Sequence, residues 1–239
     1  MKRQNIRKLI LIIALLLFPL TIYYISPELI ILGAMDGIVN GSFIVFLVML
    51  LGSIFFGRLF CGYLCPAGGL QECAMLISGK SPKQGWKNNI KYVIWLVWIT
   101  IIIICFIFRK QKLTVDFFYM TTNGVSIANI SDYFIYYSVI LLILIPCIFG
   151  KRIFCHYFCY MAPFMVLGSK IGKLLHIKRL RLSADKSACI NCHMCDKSCP
   201  MSLNVAEKVQ MGKMDDNECI LCGACIDNCP KKVITYKVK

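Results

Sequence analysis

Hydrophobic positions in the first two thirds of the chain come in long unbroken runs, not at helical or alternating intervals. Residues 9–26 form such a run behind a basic cluster of Lys2, Arg3, Arg7 and Lys8, and further runs fill 41–57, 90–108 and 133–150. About 20 apolar residues cross a bilayer's hydrocarbon core, so the pattern predicts four transmembrane helices, the first bent at Pro19. Beyond residue 183 the runs stop. Cysteine, glycine, proline and charged residues alternate there at short intervals, as in a small polar domain.

Charge assigns the sides. Residues 27–40 carry Glu28 and Asp36 without lysine or arginine, which suits the outer face, whereas Lys80, Lys83, Lys87 and Lys91, and later Lys151 and Arg152, suit the inner one. Arg109, Lys110 and Lys112 in the second outer loop run against this rule and are outvoted by the other loops. Both termini are thereby expected on the cytoplasmic side of the cell membrane.

Composition agrees with a membrane protein. The chain has 239 residues, 58% of them hydrophobic, and a mean hydropathy of +0.69, above the usual soluble range. The net charge of +15 could point to nucleic acid, but its distribution argues otherwise. Residues 1–182 hold nineteen Lys and Arg against five acids, beside the apolar runs; residues 183–239 hold eight Lys against seven acids. The basic excess reads as topology, and no nucleic-acid motif accompanies it. The basic stretch Lys170, Lys173, Lys178, Arg179 and Arg181 is expected to lie against anionic head groups.

The chemistry lies in the cysteines. Cys189, Cys192, Cys195 and Cys199-Pro200 form C-x2-C-x2-C-x3-C-P, and Cys219, Cys222, Cys225 and Cys229-Pro230 repeat it. In such pairs three cysteines of one loop bind one cluster and the fourth crosses to the other. Cys189, Cys192, Cys195 and Cys229 are therefore assigned to one 4Fe–4S cluster, and Cys199, Cys219, Cys222 and Cys225 to a second. Haem attachment at Cys192-His193 needs none of the surrounding pattern, zinc does not need eight cysteines in this order, and adjacent C-x2-C pairs make strained disulfides.

A second repeat joins the membrane part. Arg58-Leu-Phe-Cys61-Gly-Tyr-Leu-Cys65 lines up with Arg152-Ile-Phe-Cys155-His-Tyr-Phe-Cys159, 94 residues later. Each copy follows an even-numbered run, so the spans read as two pseudo-repeated hairpins with both cysteine pairs at the inner face. Cysteines four apart share a helix face. Together Cys61, Cys65, Cys155 and Cys159 offer four soft ligands for a third cluster or a copper(I) ion. Cys73, Cys105 and Cys147 read as structural, and His156, His176 and His193 as non-ligands. No acid–base or nucleophile constellation appears, so no catalytic residue is assigned.

With these motifs the chain resembles the membrane-bound ferredoxins typified by the quinol dehydrogenase membrane subunit of periplasmic nitrate reductase. That group also includes the membrane iron–sulfur protein of nitrous-oxide reduction and a cytochrome oxidase accessory protein. Cys61 to Pro66 matches the family's Cys-x3-Cys-Pro motif; at the second copy Tyr160 replaces the proline. The resemblance implies an electron-transfer subunit that connects quinol or a cytoplasmic donor with a partner oxidoreductase. Its accessory-protein branch implies metal handling, with copper reduced or delivered, as the alternative. The expected architecture is a four-helix transmembrane domain (1–165), a basic linker (166–184) and a small α+β bacterial ferredoxin-like domain with two clusters (185–239).

Overall fold

The computed structural model describes residues 2–82, 85–109 and 112–238; Lys83 and Lys110, assigned to loops above, lie outside them. Helix α1 (Lys2–Leu16) runs into α2 (Phe18–Thr21) and a 3-10 turn (Ile22–Ile25), bent by 59° between α1 and the segment that follows. Pro19 stands in the first turn of α2, where its missing N–H costs least and where it ends the α1 hydrogen-bond ladder. The break is where the sequence placed it.

Residues 27–40, expected as a loop, instead form helix α3 (Pro27–Asp36) and strand β1 (Ile38–Asn40). The reason is local: the Ser26 side chain caps α3, Pro27 occupies its first position, and Gly37 closes it at φ 71°. Asn40 then caps α4 (Gly41–Phe56) through its side-chain oxygen, which accepts from the Phe43 N–H at 3.0 Å. Helix α7 (Ile90–Phe108) follows a 3-10 turn (Trp86–Asn89). Strand β2 (Thr114–Asp116) pairs in parallel with β1, joining the two connections expected on the outer face, and α8 (Ile130–Cys147) follows.

Two helical segments, Trp86–Phe108 and Ile130–Cys147, are long and apolar enough to cross a membrane, and the bent Lys2–Ile25 pair makes a third if it counts as one span. The fourth expected span is shorter. At 1.5 Å per residue the 16 residues of α4 reach about 24 Å, less than the ~30 Å hydrocarbon core.

Segment 166–184, read above as a linker, is folded. Helix α9 (Met161–Leu174) carries on past residue 165 and packs along α4, with Gly168 against Leu50 and Ser53 and Gly172 against Ile54. Small residues let two helix backbones approach this closely. Strand β3 (Leu180–Ala184) belongs to the C-terminal unit, paired antiparallel with β4 (Ile234–Val238). Short helices α10 (Met194–Ser198), α11 (Val205–Gln210) and α12 (Ala224–Asp227) complete that unit. One hydrophobic core runs through both parts, from Phe46, Trp98 and Met165 to Ile220, Leu221 and Ile234.

Candidate metal centres

The two C-terminal cysteine loops share one backbone shape. Asn191 and His193 adopt the left-handed conformation (φ 52° and 56°), as do Leu221 and Gly223 at the matching places of the second loop (φ 51° and 73°). Such residues turn successive N–H groups inward, making a concavity suited to anionic sulfur. One cavity is lined by Cys199, Cys219, Cys222 and Cys225, together with Met201 and Ile220. Another is lined by Cys189, Cys192, Cys195 and Cys229, together with Ile190 and Ile234. These are the two quartets assigned from spacing, with each loop's last cysteine crossing to the other cavity. Burial pushes the Cys219 thiol up to about 12, although the Leu221 N–H bonds to its sulfur. Thiolates in such surroundings need a cation, and iron supplies one, so the residues present fit the cluster.

Neither Cys61 and Cys65 nor Cys155 and Cys159 share a continuous helix as expected. Cys61 sits in helix α5 (Leu59–Tyr63), with Cys65 just beyond it as the cap of α6 (Pro66–Ala74). Cys155 lies in a π-turn (Phe154–Phe158) that ends at Cys159. Two short turns rather than two continuous helices present the pairs. All four sulfurs are buried and interact electrostatically with one another. Burial raises the Cys65 thiol to about 12. Cys155 is pushed the other way, first by the hydrogen bond it shares with Cys159, then by Arg152 and Arg58, and Gln71 donates to its sulfur at 3.0 Å.

Sequence reading passed over the cations around this quartet. Arg58 and Arg152 stand at equivalent places, three residues before the first cysteine of each repeat, and both are almost wholly buried. Arg152 bonds Glu72 at 2.8 Å and the Cys61 carbonyl at 3.2 Å, and Arg7 also pairs with Glu72. Arg58 and Lys91 share Glu218, at 2.8 and 2.6 Å. Arg58 Nε and Nη2 and Arg152 Nε nonetheless have no hydrogen-bond partner among the described residues. Buried donors left unpaired are costly, and an anionic centre held by the four cysteines would take them up.

His156, read as a non-ligand, is buried between the cysteines of the second copy, and burial, then Lys91, holds its imidazole down to about 4. Cys147 is buried and bonds the Ile143 carbonyl, Cys105 is half-buried, and Cys73 is exposed, so Cys73 is no core residue. Met165, another residue not singled out, places its sulfur 3.4 Å from Cys61 Sγ.

The two cysteine systems touch. A Cβ on Gly62 would collide with the Ile220 carbonyl of the second C-terminal loop. Tyr63 Oη (3.4 Å) and Gln4 Nε2 (3.0 Å) both donate to the Cys222 carbonyl.

Comparison with known proteins bears on the same residues. The family described as 4Fe–4S binding domain matches 41–84 and 132–178, which include the two Cys-x3-Cys copies. The 4Fe–4S dicluster domain matches 188–234. The chain carries two kinds of 4Fe–4S ferredoxin-type domain and binds two 4Fe–4S clusters. Domains of this kind hold iron–sulfur clusters, whose chemistry is one-electron transfer. Two proteins of Methanocaldococcus jannaschii, both described as uncharacterized, are each 24% identical to it. One match covers 64% of this chain and 55% of the relative, the other 68% and 66%. The chain thus spans between half and two thirds of those relatives. No solved structure matches.

Proposed function

We propose that this chain is a membrane-anchored iron–sulfur wire with three cluster sites. Cys189, Cys192, Cys195 and Cys229 hold the first, Cys199, Cys219, Cys222 and Cys225 the second, and Cys61, Cys65, Cys155 and Cys159 a third at the membrane surface. A 4Fe–4S cluster supplies one-electron transfer. The chain's own contribution is to hold these sites in contact. The observation that carries the reading is the packing of Gly62 and Tyr63, between Cys61 and Cys65, onto the loop of Ile220 and Cys222. The unpaired donors of Arg58 and Arg152 support an anionic occupant of the third site.

In this reading the protein crosses the cell membrane four times, with α4 as the shortest crossing and both termini cytoplasmic. The ion pair between Arg3 and Asp227 at 2.5 Å supports a shared side for the N-terminus and the C-terminal unit. The redox partners are an oxidoreductase and, by the family resemblance, quinol or a cytoplasmic donor.

Iron and acid-labile sulfide on anaerobically purified protein test the third site. About twelve irons per chain are expected, falling to about eight in Cys61→Ser/Cys155→Ser. About eight in both proteins would remove the third cluster from the proposal.

The contact of Cys61 with Met165 favours a second reading, a copper(I) site for metal handling, since thiol and thioether are copper(I) ligands. The match of a 4Fe–4S binding domain to the residues of this quartet keeps the cluster reading ahead. Stoichiometric copper binding lost in Met165→Leu would reverse that order.

A further inference from the structure

Charge on the C-terminal unit is sorted by direction. Its eight lysines and seven acids nearly cancel, but three of the acids are spent on the membrane part. Asp227 pairs with Arg3, Glu218 with Arg58 and Lys91, and Asp215 with Lys173 and Arg179. Asp216 is bound to Lys208 within the unit.

Four lysines remain around the cavity of Cys189, Cys192, Cys195 and Cys229. Lys231 lines it directly. The carbonyl of Lys186 accepts from the Cys189 N–H, the Lys232 N–H donates to Cys229, and the Lys197 N–H donates to His193. All four are exposed, and none is ion-paired to another described residue. Lys151 extends the patch, its ammonium 3.5 Å from the Lys197 carbonyl. Three acids nearby offset part of this charge: Asp185, which accepts from Ser187, Asp196, which accepts from the Ala206 N–H and faces His193, and Glu207, which accepts from Asn204; five lysines against three carboxylates leave the face net positive.

Among these lysines the loop exposes two large apolar side chains beside the polar Asn191 and His193. Ile190 is 58% exposed and Met194 47%, on either side of the exposed Cys192. Exposed apolar side chains within a charged rim are the anatomy of a protein interface, and a rim of net positive charge steers a partner of the opposite sign.

We propose that this face docks an acidic soluble electron-carrier protein, with its carboxylates on Lys186, Lys197, Lys231 and Lys232 and its redox group against Cys192. The proposal rests on the reading that Cys189, Cys192, Cys195 and Cys229 hold a cluster, and it adds which cluster meets the soluble partner. The buried Cys222 side of the unit, covered by Gln4 and Tyr63, is closed to such a partner. Lysines alone would also attract nucleic acid, but the exposed Ile190 and Met194 favour a protein.

The test uses the full-length protein in nanodiscs with a purified flavodoxin of net negative charge as probe. Equilibrium binding is followed by interferometry over a salt series. Binding is expected to weaken steeply with salt and to drop by roughly tenfold or more in Lys186→Glu/Lys231→Glu. Lys213→Glu/Lys237→Glu, equally exposed elsewhere on the unit, should bind as wild type. Absent or salt-insensitive binding, equal loss in both double variants, or tighter binding of a duplex oligonucleotide than of flavodoxin overturns the proposal. Iron content of the same samples, with Cys192→Ser alongside, reports on the cluster assignment separately. Full iron with indifferent binding rejects the docking face alone, whereas missing iron rejects the reading beneath it.

Discussion

Arg58 and Arg152 show how much a single position can carry. Each is buried beside thiols, each binds a carboxylate, and each keeps an unpaired N–H. Burial opposes the charge of Arg152, but Glu72 and Cys155 hold it charged. A positive charge beside a cluster favours its reduced state. Arg152→Met is therefore expected to lower the potential of the cluster proposed at Cys61, Cys65, Cys155 and Cys159 in an EPR-monitored redox titration, with Arg152→Lys closer to wild type. Removal of one partner from a buried pair is costly in itself. Glu218→Gln leaves Arg58 and Lys91 without their carboxylate and is expected to destabilise the protein by about 3 kcal/mol, read as a lower thermal midpoint. The grouping of the C-terminal cysteines around two cavities was legible from spacing, because cluster ligands recur at fixed intervals. The arginines lay in the membrane-side repeat, but their burial depends on Glu72 and Glu218, which no local pattern joins to them.

At the level of elements, hydropathy found α7 and α8 to within a few residues, since a long apolar helix needs no partner to be recognised. It missed α3, although Ser26, Pro27 and Gly37 mark both its ends; the acids Glu28 and Asp36 had drawn that stretch toward a loop. It also made continuous helices of the Cys-x3-Cys segments. There the chain forms short turns, which let α5 lie flat on the loop of Ile220. The fit at Gly62 leaves no room for a side chain. Gly62→Val should part α5 from that loop, so that limited proteolysis releases the C-terminal unit faster than in wild type, while iron bound by its own eight cysteines stays. Equal cleavage rates would show that the contact does not hold the two parts together.

For the molecule as a whole, the proposed sidedness can be checked by labelling. Met120, exposed between β2 and α8, belongs to the far end from Arg3 and the C-terminal unit. In spheroplasts an impermeant maleimide should label Met120→Cys and leave Lys2→Cys unlabelled until lysis. The contact between Arg3 and Asp227 carries a different consequence. Its residues lie 224 positions apart, so one half of the clasp is synthesised long before the other. Contacts of such long range form late, because the whole intervening chain must first be ordered. The latch can therefore shut only after the chain between its two halves has been made: until Asp227 is in place, the Arg3 hook stays empty and the cluster loop beside it undocked.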